Sequence, residues 1–427
     1  MSEQKNVVPT LKKSIGLYQG IAALTTTLLG SGIFIVPAIV ATIAGEYSLF
    51  SCIGIVVFMI PVALTFGYLG SSYPSAGGTA YFVGRVFGRK FENFTSWLFL
   101  SILPIGPPVV VITGASYFGS AFQVSDEHIF FISIVMLLAI FTINLFSLEF
   151  TGKIQLILAY SIVLVLLFLI VLGFVNSLAS DYTLNQPPSS IDIWAIGRGM
   201  TMTFWCFVGI ETVTHLSAEF KEVKKDFPKA IIISILIVGL LYFLISVVVL
   251  KNGVYGNEER NINSLVYLAD AFIGSSGRYF VGITGFITCF ITVNMYVLSC
   301  SRLIYSMSTN KILFNWFSRI TSRGQLPNAL SGTIFLISST VIFKYFFQIE
   351  LENLILYANG VFILIYLLTS VAGVYLLQGY KRLMSIMSAI FCFCLLLIIG
   401  RMAIWAIFVG LFSIFYEYVI DRRSKIN

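Results

Sequence analysis

Apolar runs, each about as long as a bilayer is thick, alternate along this chain with short polar connections. A helix needs roughly 20 residues to cross the hydrocarbon core, and the pattern marks twelve such stretches: 15–44, 48–71, 94–122, 128–149, 153–178, 192–217, 229–250, 279–307, 329–347, 353–378, 383–400 and 402–420. It predicts an all-α polytopic membrane protein with twelve transmembrane helices. Two of the stretches carry a fault at mid-length. In the first, Gly30-Ser31-Gly32 interrupts the run, although each Gly costs a helix interior about 1 kcal/mol relative to Ala. Lipid also offers no water to backbone groups that a broken helix leaves unpaired. If the segment opens there into two half-helices, the N–H groups of Gly30, Ser31, Gly32 and Ile33 lie at the partly positive start of the second half. Such an end is a receptor for an anion such as a carboxylate. The plainer reading is that the glycines let a neighbouring helix approach closely.

The sixth stretch repeats the fault. Phe204-Trp205-Cys206-Phe207-Val208-Gly209-Ile210-Glu211 places a glycine, and two residues later a carboxylate, inside an apolar run. An ionised side chain at mid-bilayer costs about 2.5–3.5 kcal/mol on insertion scales, so Glu211 is expected to face the bundle interior and to mark a pathway or relay. Its plainer role is a neutral acid bonding loose carbonyls of the broken helix. Interrupted helices at the first and sixth positions predict two five-helix repeats of inverted topology, whose broken helices cross at mid-membrane around a substrate. The expected organisation is a cytoplasmic N-terminus at 1–14, a first repeat at 15–178, an inverted second repeat at 192–378, helices 11 and 12 at 383–420, and a cytoplasmic tail at 421–427. Helices 11 and 12 are expected to be peripheral or to form an oligomer contact.

Composition removes the other classes. With 58% hydrophobic residues, 11% charged and a mean hydropathy of +0.94, the chain departs from a water-soluble globule, whose charged fraction is near a quarter. Its net charge of +7 acquires meaning from its distribution: an N-terminus in the cytoplasm puts 20 of the 26 Lys and Arg on that side. The positive-inside rule therefore selects cytoplasmic N- and C-termini. The first apolar run is too long for a signal segment and lacks a small-residue cleavage site, so it is expected to be retained. All six cysteines fall inside apolar stretches, with no disulfide framework or zinc spacing. His128 and His215 lie on opposite sides of the membrane, and with one buried acid they assemble no catalytic group. Neither enzyme activity nor a cofactor or metal is expected; a helix-contact role is expected for His215, with a proton path as its alternative. Tyr73 to Tyr81 reads as a loop or as a re-entrant element lining a cytoplasmic vestibule. Pro104, Pro107 and Pro108 are expected to kink the third stretch. Lys153 reads as an interface anchor.

Gly30-Ser31-Gly32-Ile33-Phe34, the segment Trp205 to Glu211, Tyr73-Pro74-Ser75-Ala76-Gly77-Gly78 and Ser301-Arg302-Leu303-Ile304-Tyr305 together resemble the amino acid, polyamine and organocation (APC) transporter superfamily over essentially the whole chain. Phe204 to Gly209, Tyr73 to Gly78 and Leu356-Tyr357-Ala358-Asn359-Gly360 resemble, more narrowly, its bacterial inner-membrane exporters of L-methionine and branched-chain amino acids. The resemblance implies a leucine-transporter-like fold with a substrate α-carboxylate on the N–H groups of Ser31 and Gly32, Gly30 and Ile33 beside it. It places the ammonium on carbonyls of Leu28, Trp205 and Val208 next to Gly209. Phe204 or Trp205 would cap the site, Asn294 and Tyr296 would line the side-chain pocket, and Glu211 would serve gating or proton coupling. With no second buried acid, neutral apolar substrates are expected: methionine, leucine, isoleucine and valine. The chain lacks the lysine that some members carry within span five, where Ile162 and its neighbours stand, which leaves proton coupling, sodium coupling and exchange all open. Secondary active export is the expected function. Import or exchange is the alternative, and a sensor or channel is a remote one.

Overall fold

Lipid denies the backbone any outside partner, so a chain in it must pair its N–H and C=O groups within each segment, and helices do this. The computed structural model describes residues 15–73, 78–146, 152–179, 192–211, 220–321 and 325–426. Its α-helices are α1 (Leu17–Leu29), α2 (Gly32–Ala44), α3 (Ser48–Ser72), α4 (Gly78–Phe87), α5 (Arg89–Ser101), α6 (Gly106–Phe122), α7 (Ile129–Leu145) and α8 (Gly152–Ala179). They continue with α9 (Ile193–Thr203), α10 (Val223–Asn252), α11 (Glu258–Ile273), α12 (Ser275–Thr309), α13 (Pro327–Phe347), α14 (Leu351–Leu376), α15 (Tyr380–Ile399) and α16 (Ile404–Ile426). Outside them the backbone forms short 3-10 turns and one isolated parallel bridge between Ile15 and Phe220.

Seven helical stretches among the described residues are long and apolar enough to cross a membrane: Gly32–Ser72, Arg89–Phe122, Val223–Asn252, Ser275–Thr309, Pro327–Phe347, Leu351–Leu376 and Tyr380–Tyr416. The outward surfaces are apolar as well. Phe335, Phe346, Leu397, Leu411 and Phe415 are among the large side chains left exposed, an arrangement suited to acyl chains and costly in water. This is a multi-pass membrane protein.

At the centre lies α2, buried along nearly its whole length from Gly32 to Ala44 and packed against α9, α10 and α11. Lipid supplies no hydrophobic drive between helices, so close approach of small residues does the work. On α12, a Cβ added to Gly282 would stand 2.7 Å from the Tyr117 carbonyl oxygen, and one added to Gly285 would stand 2.2 Å from the Tyr117 ring. These two helices touch through a glycine face.

Two features differ from the sequence expectation. The third stretch is broken rather than kinked: α5 stops at Ser101, residues 102–105 turn, and α6 restarts at Gly106 with prolines in its first turn. Pro107 and Pro108 stand where a helix has no intrahelical use for an N–H, and there proline starts a helix instead of bending one. The connection at 251–278 holds the helix α11, capped by the Asn257 side chain accepting from Arg260 N. The sixth stretch, expected to be interrupted, leaves the α-helix at Thr203, just before the run from Phe204 to Glu211. Residues 1–14, Pro74 to Gly77 after α3, residues 180–191 and His215 lie outside the described residues, as does the Lys153 side chain.

Because Gly285 faces a fully buried ring, Gly285→Val is expected to destabilise the protein by about 1–3 kcal/mol through overpacking. Its melting temperature in detergent should fall, while Leu397→Ala, on the lipid-facing surface, leaves it unchanged.

Candidate functional site at two facing helix breaks

The first break is a two-residue turn. α1 ends at Leu29, Gly30 takes φ +30°, and Ser31 caps α2 without a side-chain hydrogen bond. A positive φ disfavours any side chain, which accounts for glycine at position 30. The N–H groups of Gly32 and Ile33 at the start of α2 have no intrahelical acceptor and lie at the positive end of the helix dipole, whereas Phe34 N donates to the Ser31 carbonyl. The second break is longer. After α9 the chain tightens into a 3-10 turn at Phe204–Phe207, extends at Val208 (φ −67°, ψ 133°) and swings through Gly209 at φ +119°. Again only glycine takes that conformation without strain.

The breaks face each other. A Cβ on Gly32 would meet Trp205 Cδ1 at 3.2 Å and Cys206 Cα at 3.6 Å, and one on Gly209 would meet Thr27 Cγ2 at 3.0 Å. Leu28, Ser31, Ile33, Phe204, Trp205, Val208 and Glu211 are all buried. The fold thus gathers the two segments that sequence reasoning singled out. Glu211 Oε2 accepts from Gly209 N at 2.9 Å and from the Tyr366 hydroxyl. Tyr366, on α14, also reaches the Phe207 carbonyl at 3.4 Å, so it grips both sides of the second break. Tyr296 lies half-buried on α12, two residues beyond Asn294. Asn294 is buried, and its Oδ1 accepts from Asn144 Nδ2 at 2.7 Å, a bond that runs to α7 and not to either break. Of the three carbonyls expected to be loose, that of Trp205 accepts a long bond, 3.3 Å, from Val208 N.

Sequence reasoning missed the tyrosines. Tyr242 on α10 donates to the Leu29 carbonyl at 3.3 Å, and Tyr117 on α6 donates to the Phe34 carbonyl at 2.9 Å. Both are buried, and both serve backbone groups in or beside the first break. A hydroxyl within an apolar run was the available signal.

A family model described as amino acid permease matches residues 15–425, both breaks included. The chain belongs to the amino acid permease family. The permease is 33% identical over 397 residues, covering 93% of its own length and 94% of the relative's, to the L-methionine/branched-chain amino acid exporter YjeH of Escherichia coli. It is 28% identical over 373 residues, 87% of each chain, to the uncharacterized amino acid permease YecA of Bacillus subtilis. The serine/threonine exchanger SteT of Bacillus subtilis is 25% identical over 311 residues, 71% of this chain and 70% of the relative. These relatives are transporters, and the permease is a transport protein rather than an enzyme.

In the permease, Gly32→Val would push methyl groups into the gap between the α2 start, the Tyr242 hydroxyl and Trp205. Amino acid binding, followed by isothermal calorimetry on purified protein, is expected to disappear while the protein still elutes as a folded species. Unchanged affinity would remove the α2 start from the site.

Proposed function

We propose that the permease is a secondary active transporter of neutral apolar L-amino acids, exporting methionine, leucine, isoleucine and valine across a bacterial inner membrane by alternating access. The observation that carries this reading is the apposition of Gly32 to Trp205 and of Gly209 to Thr27. It sets N–H donors of one broken helix opposite the irregular backbone of another. A carboxylate suits the donors and an ammonium suits carbonyl oxygens at the breaks, so the backbone reads the part every α-amino acid shares. Side-chain choice then falls to the apolar surroundings: Ile33, Phe204, Trp205 and Val208 are all buried there, and an extra charge on the substrate would find Glu211 already occupied by Gly209 N and Tyr366. The exporter among the relatives agrees with this substrate class and direction.

Support for twelve crossings comes from the helices themselves. α1 with α2, α5 with α6, and α9 with the residues after it each form one divided crossing, and α3, α7, α8, α10, α12, α13, α14, α15 and α16 supply the others. The divided first and sixth crossings then head two inverted five-helix repeats, with both termini in the cytoplasm and α15 and α16 outside the repeat. Coupling is assigned to Glu211. Its carboxylate joins the Gly209 backbone to Tyr366 on α14, so a proton gained or lost there is felt by two segments that must move when the site changes sides.

Flux of labelled methionine and leucine in proteoliposomes, with a proton gradient imposed in either direction and sodium absent, tests the reading. Accumulation against the amino acid gradient, driven by protons, is the expected result. Flux only when amino acid is present on both sides would instead make the permease an exchanger, the behaviour named for one relative. Glu211→Gln is expected to flatten the pH dependence of flux while changing leucine affinity by less than about threefold, well under 1.4 kcal/mol. Identical pH profiles in mutant and wild type would exclude Glu211 from coupling.

A further inference from the structure

We infer that the Tyr242 hydroxyl is a substrate-binding group, donating a hydrogen bond to the carboxylate of the amino acid at the start of α2. The inference rests on the proposed seat for that carboxylate and adds to it a side chain from α10. Tyr242 is 1% exposed, and its oxygen lies 2.7 Å from the position a Gly32 Cβ would take. The hydroxyl therefore fills the space that the missing Gly32 side chain leaves at the head of the helix. It is a polar atom at the place where the site needs one.

Its bond to the backbone is a poor one. At 3.3 Å from the Leu29 carbonyl oxygen, it is well beyond the ~2.7–2.8 Å usual for O–H···O. A carboxylate is a better acceptor than an amide carbonyl, and a charge-assisted bond is shorter and about twice as strong as a neutral one. Arrival of the substrate thus exchanges one acceptor for another: the phenol turns its proton from the Leu29 carbonyl to the carboxylate. The ring is set among buried groups, with Phe207 at 6.4 Å between centroids and the Cys206 thiol beside the hydroxyl. Backbone N–H groups alone attract any small anion. A phenol fixed at this height adds a directional contact for a carboxylate whose ammonium is held at the opposite break, which favours α-amino acids over simple carboxylic acids.

The test is calorimetric binding of leucine and of leucinol, which lacks the carboxylate, to wild type and to Tyr242→Phe. In the wild type, leucine should bind at least tenfold tighter than leucinol. Equal affinities would defeat the carboxylate seat itself and this inference with it. In Tyr242→Phe, leucine should weaken by about tenfold, the low end of what a hydrogen bond to a charged group contributes, while leucinol stays unchanged. Two results overturn the role of Tyr242 and leave the seat standing: unchanged leucine affinity, or equal weakening of both ligands, as a purely structural cap on Leu29 would give. Should Tyr242→Phe fail to fold, 3-fluorotyrosine at position 242 keeps the shape and sharpens the donor. Leucine should then bind tighter and leucinol as before, and no change in leucine affinity contradicts the proposal.

Discussion

A peptide group inside a lipid bilayer has no water to fall back on, and this constraint shapes the permease. Among the described residues the chain meets it with helices almost everywhere; besides the turn at 102–105, it suspends it at the two facing breaks, Gly30–Ser31 and Phe204–Gly209. Every loosened group there has to find a partner within the protein. Tyrosines from three other helices supply many of them. Tyr242 serves the Leu29 carbonyl, Tyr366 the Phe207 carbonyl and Glu211, and Tyr117 the Phe34 carbonyl.

The same economy explains how such a site handles a zwitterion. Groups that must be satisfied when the site is empty are the groups a substrate would use, so binding replaces internal hydrogen bonds rather than creating them from nothing. Weak internal bonds make that replacement favourable, and the 3.3 Å contact of Tyr242 is of that kind. A site built this way also ties binding to movement. Each tyrosine belongs to a helix packed elsewhere, and exchanging its acceptor alters how α10 or α14 is held against the breaks.

Much of this was legible in the sequence because glycine is costly where it stands. Gly30 and Gly209 interrupt apolar runs, and both adopt a positive φ. Glu211, the acid within such a run, proved to be buried at the second break. What escaped was whatever depends on partners distant in the chain. Nothing in the run around Tyr242 or Tyr366 says which way the ring points, because the packing of α10 on α1 and α2 and of α14 on α3 and α9 decides it. The prolines at 104, 107 and 108 read as a kink, whereas the turn at 102–105 breaks the helix and the prolines at 107 and 108 start the next one. α11 was hidden by its charges, Glu258, Glu259, Arg260 and Asp270, although one face buries Leu265, Val266, Leu268 and Ala269.

The most direct test of the account is an experimental structure of the permease with L-selenomethionine bound, the ligand located by its selenium signal. The account predicts the carboxylate within about 3 Å of the Ser31 and Gly32 N–H groups, with the ammonium toward the carbonyls of Leu28, Trp205 and Val208. Density for the ligand elsewhere, for instance in the polar hollow lined by Asn252, Asn257, Glu259, Arg260 and Tyr267, with the two breaks still packed against each other, would contradict it.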